Sequence, residues 1–223
     1  MSKNLIRRVI TSLILLSILL VCLFLNKHSF LILVIIASII CFFEFNNIVK
    51  KIWKRKKTSI YFANLISFFY LIFFTYSAFN FSKIEEDMLY VLLVCIFSDI
   101  GGYVIGKSIG GKKLTKLSPN KTLSGTLGSF VFSLAPLILL LIIYFEEMNI
   151  SINISITELF FITLVLSFIC QSGDLFISYF KRKAKVKDTG SILPGHGGLL
   201  DRIDGIIFAV PGAFILEKIL FYL

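Results

Sequence analysis

The most polar part of this apolar chain is the segment 171–205, which concentrates carboxylates, lysines, arginines and glycines. It holds four of the six aspartates of the chain, namely Asp174, Asp188, Asp201 and Asp204. Gln171, Asp174, Ser178 and the pair Lys181-Arg182 follow one another at helical spacing, so a helix would carry them as one polar stripe. Carboxylate oxygens are ligands that Mg²⁺ prefers, and basic side chains neutralise phosphate. These residue types are the ones that a site for a divalent cation and a phosphorylated ligand would use.

Asp201 and Asp204 are three residues apart at the predicted start of a helix, so they share one face of it. If Asp174 and Asp201 converge, they offer Mg²⁺ oxygen ligands from two helices, and water and phosphate fill its other positions. The alternative is that Asp201 and Asp204 form structural ion pairs with nearby cations. Those cations would be Arg202, Arg182 or Lys187. The residues by themselves leave both interpretations open.

Two motifs resemble those of the phosphatidate cytidylyltransferases, also called CDP-diacylglycerol synthases. The first motif reads Ser178, Lys181-Arg182, Lys187-Asp188, Pro194-x-His196-Gly197-Gly198 and Asp201-Arg202-x-Asp204. The second reads Ser118-Pro119-Asn120-Lys121-Thr122 followed by Gly125, and it is similar to the family pattern Ser-Pro-x-Lys-Thr-x-Glu-Gly. This chain has Ser124 where the family usually has Glu. The resemblance covers roughly residues 95–210.

The resemblance implies transfer of a cytidylyl group from CTP to phosphatidate, giving CDP-diacylglycerol and pyrophosphate for phospholipid biosynthesis. It implies these catalytic residues: Asp201, Lys181, Arg182, Lys187, Asp188, His196 and Arg202. It implies these substrate-binding residues: Ser118, Lys121, Thr122, Ser178, Gly197, Gly198 and Asp204. The position of Asp174 in the polar stripe adds it to the catalytic residues, and the position of Asp99 within a membrane helix adds it to the substrate-binding residues. With the resemblance, Mg²⁺ held by Asp174 and Asp201 becomes the favoured interpretation. The resemblance also implies a monovalent cation such as K⁺ beside Mg²⁺, although no residue pattern in this sequence indicates one.

The composition predicts an integral membrane protein. Apolar residues make up 57% of the chain and the mean hydropathy is +0.91. A membrane helix needs about 17–25 apolar residues. Seven segments meet that length approximately: Val9–Leu25, Phe30–Val49, Ser59–Phe79, Met88–Ile105, Gly128–Phe145, Glu158–Phe176 and Ile203–Phe221. We therefore predict an all-α, polytopic membrane helix bundle of about seven transmembrane helices.

Lysine and arginine are distributed very unevenly between the two predicted sides of this bundle. The N-terminus and the loops 50–57, 106–122 and 181–202 together carry 20 of the 23 Lys and Arg residues. Because cytoplasmic loops are enriched in Lys and Arg, the N-terminus and both polar loops are predicted to face the cytosol. This places the chain in the cytoplasmic (inner) membrane, among membrane lipids, with an outward C-terminus. Nucleic acid is not an expected partner, because no soluble basic domain is evident.

The sequence predicts one membrane domain over residues 1–223. The N-terminal helices lie in 1–87, and the predicted catalytic helices and loops lie in 88–223. The oligomeric state stays open, a homodimer included. Two intramembrane acids add candidates. Asp99 either faces the site or hydrogen-bonds a neighbouring helix, and Glu44 is either functional or a snorkelling acid near Lys50 and Lys51.

Two other classes of function compete with the cytidylyltransferase interpretation. One is another membrane phosphotransferase, such as a CTP-dependent polyprenol kinase or a CDP-alcohol phosphotransferase. The Asp-Gly-x-x-Ala-Arg run of the latter is absent from the sequence. The other is an ion-coupled carrier that uses Asp99 and Asp174. Carriers place polar groups near the membrane midplane and often repeat their halves, whereas here the polar groups crowd one side.

Overall fold

The computed structural model describes residues 3–115, 118, 121–147 and 155–222, and these residues form nine α-helices. The first four are α1 (Lys3–Leu25), α2 (Lys27–Ile52), α3 (Lys57–Phe81) and α4 (Glu85–Ile109). The others are α5 (Leu123–Ser133), α6 (Ala135–Glu147), α7 (Ile156–Lys183), α8 (Leu200–Ile203) and α9 (Ile206–Tyr222). The β-pairing within the described residues consists of two isolated bridges. The all-α prediction is confirmed.

Five segments are long and apolar enough to cross a bilayer. They are Lys27–Ile52, Lys57–Phe81, Glu85–Ile109, Leu123–Ile143 and Ile156–Lys183. The apolar part of α1, Ile10–Leu25, and the 17-residue α9 are shorter. Each of the seven predicted spans overlaps a helix, and a membrane helix bundle is confirmed. The count of seven spans and the cytosolic N-terminus stay predictions.

Two of the predicted spans are interrupted. The fifth is divided at Leu134 into α5 and α6, where the nearby Pro136 has no N–H to continue the ladder of helical hydrogen bonds. The seventh was predicted to begin at residue 203. Instead, the one-turn helix α8 ends at Ile203 and α9 begins at Ile206. A Cβ on the intervening Gly205 would lie 3.1 Å from the carbonyl oxygen of Cys170, so this break lets the chain pack directly against α7.

The core lies between α2, α4, α7 and α9, while the outer faces of the helices remain apolar. Val94, Leu166 and Val210 are fully buried. Large apolar side chains such as Phe69 and Leu127 are exposed, as expected of surfaces that contact lipid. The burial pattern therefore agrees with a helix bundle whose outer surface contacts lipid over most of its length.

α4 and α5 cross at unusually close range through small residues. A Cβ on Gly102 would lie 2.6 Å from the Ser129 hydroxyl oxygen, and one on Gly106 would lie 3.4 Å from Gly125 Cα. Gly102 and Gly106 have the small-xxx-small spacing of close helix contacts, since such residues let helix backbones approach. The crossing holds Thr122, the N-cap of α5, against the end of α4.

Polar contacts join α4 to α7 within the core. The Ser98 and Ser167 hydroxyl oxygens are 2.9 Å apart, and Gln171 Nε2 donates to Ser167 Oγ at 3.3 Å. Because lipid cannot satisfy such groups, these contacts set which face of α7 turns inward. Asp174 continues the same face one turn beyond Gln171 and therefore also points into the bundle.

The segments rich in Lys and Arg, namely the N-terminus and the loops 50–57, 106–122 and 181–202, have contacts at one end of the bundle. Thr11 of α1 donates its hydroxyl to the carbonyl oxygen of Pro194 at 3.1 Å. The Lys183 ammonium lies 5.5 Å from the centre of the Trp53 ring in the loop after α2. Lys121 pairs with Asp174. These contacts agree with the uneven Lys and Arg distribution, which predicts that the same four segments share one side of the membrane.

Candidate functional site

A polar cavity of about 400 Å³ lies between α4, the start of α5, α7 and α8. Of the sixteen residues predicted to act in the site, ten line it: Asp99, Ser118, Lys121, Thr122, Asp174, Lys181, Asp188, Asp201, Arg202 and Asp204. Gly102, Tyr103, Gly125, Thr126, Ser129 and Gln171 complete the lining. Residues that are distant in the sequence therefore form one polar chamber.

Asp174 stands on the inward face of α7. Its Oδ2 atom forms an ion pair with the Lys121 ammonium, and its Oδ1 atom accepts a hydrogen bond from the Ser178 hydroxyl at 3.2 Å. The carboxyl group of Asp204 lines the same cavity.

Asp201 lies in α8, and its carboxylate is contacted by a lysine, a hydroxyl group and two backbone amides. Lys181 Nζ donates to its Oδ1 at 2.8 Å. Its Oδ2 is contacted by the Thr189 amide at 2.7 Å, the Thr189 hydroxyl at 3.0 Å and the Gly198 amide at 3.0 Å. Burial raises the pKa of Asp201, but the Lys181 ammonium and the backbone amides outweigh burial and hold the pKa below its usual value.

The structural alternative drawn from the sequence paired Asp201 and Asp204 with Arg202, Arg182 or Lys187. The structure pairs Asp201 with Lys181, which that alternative did not name, and Asp174 with Lys121. The guanidinium of Arg202 donates to the carbonyl oxygen of His196 at 3.1 Å. Sequence neighbours were the obvious candidates, but a partner from another loop reaches Asp174 because α5 packs so closely on α4.

Glu44 does not reach the surface. Its side chain is buried, and it accepts hydrogen bonds from the Thr189 hydroxyl at 2.9 Å and from the amides of Leu199 and Leu200 at 3.0 and 2.9 Å. The snorkelling interpretation is therefore wrong. Glu44 ties α2 to the segment that carries Asp201, and it lies behind the polar cavity without lining it.

The glycine-rich turn folds around carboxylates of the protein. Gly197 has φ near +90°, a conformation that favours glycine, and a Cβ there would lie 2.9 Å from Asp188 Cβ. The Gly198 amide donates to Asp201. The turn was predicted to let the backbone approach a ligand. In this structure its close approach serves Asp201 and Glu44.

Six of the predicted residues, all within the described part of the chain, lie outside the cavity lining: Ser178, Arg182, Lys187, His196, Gly197 and Gly198. Ser178 contacts the site through Asp174. His196 Nε2 is 3.2 Å from the Ser12 hydroxyl oxygen, so this side chain contacts α1. The predicted roles of these six residues in catalysis or binding stay predictions.

The loop before α5 is held by hydroxyl groups. The Thr122 hydroxyl caps α5 by accepting from the Gly125 amide at 3.0 Å. Ser124, which replaces the family Glu, donates to the carbonyl oxygen of Gly110 and lies 2.9 Å from the Thr122 hydroxyl oxygen. Pro119 and Asn120 of the second motif lie outside the described residues. Ser124 therefore has a local role that a carboxylate could not copy, because an ionised carboxylate cannot donate.

The oxygen donors of the cavity fit a hydrated divalent cation. Mg²⁺ commonly takes one or two carboxylates from the protein and keeps water and phosphate as its other ligands. The described residues contain no group of three His, Cys, Asp or Glu side chains arranged as a metal cage. Asp174 and Asp204 supply two carboxyl groups to the cavity, and Asp201 keeps one lone pair on Oδ1 beside Lys181. The assignment of Mg²⁺ to Asp174 and Asp201 stays a prediction.

A larger apolar groove of about 650 Å³ lies on the opposite side of α7. Phe176, Phe180 and Phe208 are among its lining residues. Neighbouring residues of α7 thus face two different environments, with Asp174 towards the polar cavity and Phe176 towards the groove. Charged reaction chemistry belongs to the polar cavity.

Sequence reasoning missed the residues that hold the site from behind. Thr189 is buried and contacts both Glu44 and Asp201, but its position next to Asp188 carried no recognisable signal. Glu44 carried a signal, an acid within an apolar span, although its partners were not predictable. Ser129 and Thr126 line the cavity because α5 packs on α4, which no local pattern specifies.

Comparison with known proteins adds independent information. The model of the cytidylyltransferase family matches residues 56–220. A protein of Rickettsia typhi (strain Wilmington) named phosphatidate cytidylyltransferase is 35% identical over 218 residues, covering 95% of this chain and 91% of that protein.

Two staphylococcal proteins with the same name match a shorter region. The protein of Staphylococcus haemolyticus (strain JCSC1435) is 43% identical over 126 residues, and that of Staphylococcus aureus (strain COL) is 44% identical over 125 residues. Each match covers 56% of this chain and 46% of the relative. The match therefore spans about half the length of these staphylococcal relatives.

Proposed function

The chain belongs to the cytidylyltransferase family, and we propose that it transfers the cytidylyl group of CTP to phosphatidate, releasing pyrophosphate. The observation that carries this proposal is the ion pair between Lys121 and Asp174. It joins the second motif to α7 one turn before Ser178 of the first. Residues of both motifs line the same polar cavity, where four further aspartates, Lys181 and Arg202 also lie. The product is CDP-diacylglycerol.

The reaction needs positioning and charge neutralisation more than it needs a protein nucleophile. A phosphate oxygen of phosphatidate attacks the α-phosphorus of CTP. The new P–O bond forms as the bond from the α-phosphorus to the oxygen bridging the β-phosphorus breaks, and pyrophosphate leaves. Lys121, Lys181 and Arg202 line the cavity and would neutralise the phosphates of both substrates.

The aspartates of the same cavity would hold the cofactor. We place Mg²⁺ at Asp174 and Asp201, and a monovalent cation such as K⁺ is the second candidate cofactor. Mg²⁺ bound there would offset charge on the phosphate oxygens of CTP and of the departing pyrophosphate. Because Lys121 and Lys181 already pair with these two carboxylates, each lysine stands where it can exchange a carboxylate partner for a phosphate.

The architecture suits substrates that come from two phases. The cavity lies at the end of the bundle where the basic segments meet, and that end is the predicted cytosolic side. CTP would enter from the cytosol, and phosphatidate would come from the adjacent leaflet. Basic residues near an anionic leaflet are worth about 1 kcal/mol each in attraction to it. We therefore assign the chain to the cytoplasmic membrane with its site facing the cytosol.

The decisive experiment uses CTP labelled at different phosphates. The purified protein in detergent is incubated with phosphatidate, Mg²⁺ and CTP carrying ³²P at either the α or the γ position. A cytidylyltransferase moves the α label into the lipid extract and leaves the γ label in water-soluble pyrophosphate.

The two rival functions give different outcomes in the same experiment. A CTP-dependent lipid kinase would move the γ label into a lipid acceptor such as a polyprenol and leave the α label in water. An ion-coupled carrier would leave both labels in the aqueous phase. Absence of the α label from the lipid, with protein shown to be folded, would contradict the proposal.

A further inference from the structure

Glu44 is a buried carboxylate with an unusual set of partners. Its side chain is 3% exposed, yet the donors that reach it are uncharged: the Thr189 hydroxyl and the amides of Leu199 and Leu200. Burying a carboxylate is costly unless hydrogen bonds compensate for the lost water. An apolar side chain would fill the same space at lower cost, so packing does not explain a carboxylate at this position.

The backbone of the loop between α7 and α8 is shaped around this carboxylate. A Cβ on Gly190 would lie 2.5 Å from Glu44 Oε1, and a Cβ on Gly198 would lie 2.5 Å from Glu44 Oε2. Both positions therefore need glycine for the loop to close on the side chain. Glu44 comes from α2, so an N-terminal helix determines how this loop folds.

The same loop residues also bind Asp201. Consecutive amides divide between the two carboxylates, because Gly198 donates to Asp201 while Leu199 and Leu200 donate to Glu44. The Thr189 hydroxyl lies 2.9 Å from Glu44 Oε2 and 3.0 Å from Asp201 Oδ2. The orientation of Asp201 therefore depends on the loop, and the loop depends on Glu44.

We propose that Glu44 is a positioning residue, which acts through Thr189 and the amides of residues 198–200 to hold the Asp201 carboxylate in its catalytic orientation. Glu44 touches neither the cavity nor any atom that reacts. This inference rests on the function proposed above. It adds a residue that lies outside both motifs and in the N-terminal part of the chain.

The first test compares variants of similar size by steady-state kinetics. Glu44→Gln places an amide NH₂ where a backbone N–H needs an acceptor, and Thr189→Val removes the hydroxyl while keeping the volume. Each should lower kcat by on the order of 100-fold, since small displacements at a reaction centre cost that much. The KM for CTP should change little, because the lysines of the cavity remain. The double variant should be hardly worse than either single one, because the two residues act as one unit.

Matched controls separate positioning from general loss of stability. Ser38 is buried on the same helix, and its hydroxyl oxygen lies 2.9 Å from that of Thr75, far from the loop. Ser38→Ala should retain kcat although it also removes a buried hydrogen bond. Thr189→Ser keeps the hydroxyl and should lose clearly less activity than Thr189→Val.

A second readout is independent of turnover. Hydrogen–deuterium exchange followed by mass spectrometry should show faster exchange of peptides from 186–200 in Glu44→Gln, but not in Ser38→Ala. Wild-type kcat in folded Glu44→Gln, or unchanged exchange of that segment, would overturn the inference. If the wild-type protein forms no labelled lipid, the proposed function fails, and the exchange result then decides by itself whether Glu44 orders the loop.

Discussion

The Lys121 ammonium is ion-paired with the Asp174 carboxylate, so the loop before α5 is fastened to the inward face of α7. The two residues lie far apart in the sequence, with Lys121 in the second motif and Asp174 one helical turn before Ser178 of the first. The pair is possible because glycines let α5 cross α4 at close range. Each residue of the pair therefore has a partner that a triphosphate or a metal ion could replace. For this reason, substitution of either residue should affect the binding of CTP or of the metal ion.

Topology can be tested by reporter fusions along the chain. The distribution of Lys and Arg predicts seven spans, with the N-terminus inside and the C-terminus outside. Fusions after Lys57, Asp87, Lys121, Met148 and Leu223 should report inside, outside, inside, outside and outside. Met148 and Leu223 lie outside the described residues. A cytosolic signal after Leu223 would remove α9 or another helix from the set of spans.

Substitution of Lys121 should impair the use of CTP. Lys121→Ala removes a cation that lines the cavity, so it should raise the KM for CTP, lower kcat, or both, by roughly tenfold or more. Steady-state kinetics with varied CTP measure both. Lys54→Ala, which removes an exposed lysine from the loop after α2, is the matched control and should behave as wild type. Normal CTP kinetics in folded Lys121→Ala would contradict a role of this loop in holding the phosphates of CTP.

Substitution of Asp174 or Asp201 should abolish most activity if the two share Mg²⁺. Asp→Asn keeps the size and removes the charge that the metal needs, so turnover should fall by a factor on the order of 10³ or more. The double variant should be hardly worse than either single one, because residues acting as a unit are non-additive. Turnover at saturating Mg²⁺ and CTP is the measurement, and titration with Mg²⁺ should show a lost or weakened response.

The opposite pattern would identify structural ion pairs. In that case the Asp→Asn variants would keep near-normal turnover in the protein that folds, so turnover is normalised to the amount of folded protein. Asp87→Asn, at the start of α4 on the predicted outer side, is a suitable control for loss of a carboxylate. Near-normal turnover in a folded single variant would end the metal hypothesis for that residue.

The Lys181–Asp201 pair should make stability depend on pH in the acid range. The folded-state pKa of Asp201 is lowered, so its stabilising contribution is present above the unfolded value of about 3.9 and is lost as the pH falls through the folded pKa. Asp201→Asn leaves Lys181 without its buried partner and should cost on the order of 3 kcal/mol at pH 7.

Thermal unfolding of detergent-solubilised protein can measure this contribution. The difference in Tm between wild type and Asp201→Asn should be largest near pH 7 and should shrink as the pH falls below about 4. The exposed-residue variant Lys54→Ala should show no such convergence with wild type. A Tm difference that is constant from pH 7 to pH 3 would show that the charge of Asp201 does not stabilise the fold.

Local patterns in the sequence determined the class of the fold and the composition of the site. The apolar segments must form helices, because only a helix satisfies all backbone hydrogen bonds of a single segment in lipid. The polar stripe of Gln171, Asp174 and Lys181 had to face the interior for the same reason, and all three line the cavity. The motif residues Lys121 and Asp201 could be named because their spacing resembles a known family.

The tertiary structure decided which of these groups meet. The pairing of Lys121 with Asp174, and of Glu44 with the loop that holds Asp201, depends on helix crossings, and no sequence spacing encodes those. Periodicity tells which side of a helix is buried but not which neighbour covers it, because that choice comes from the packing of the whole bundle. For this reason the sequence left Glu44 as either a functional residue or a surface acid, whereas the structure places it behind the polar cavity, where its hydrogen bonds shape the loop between α7 and α8.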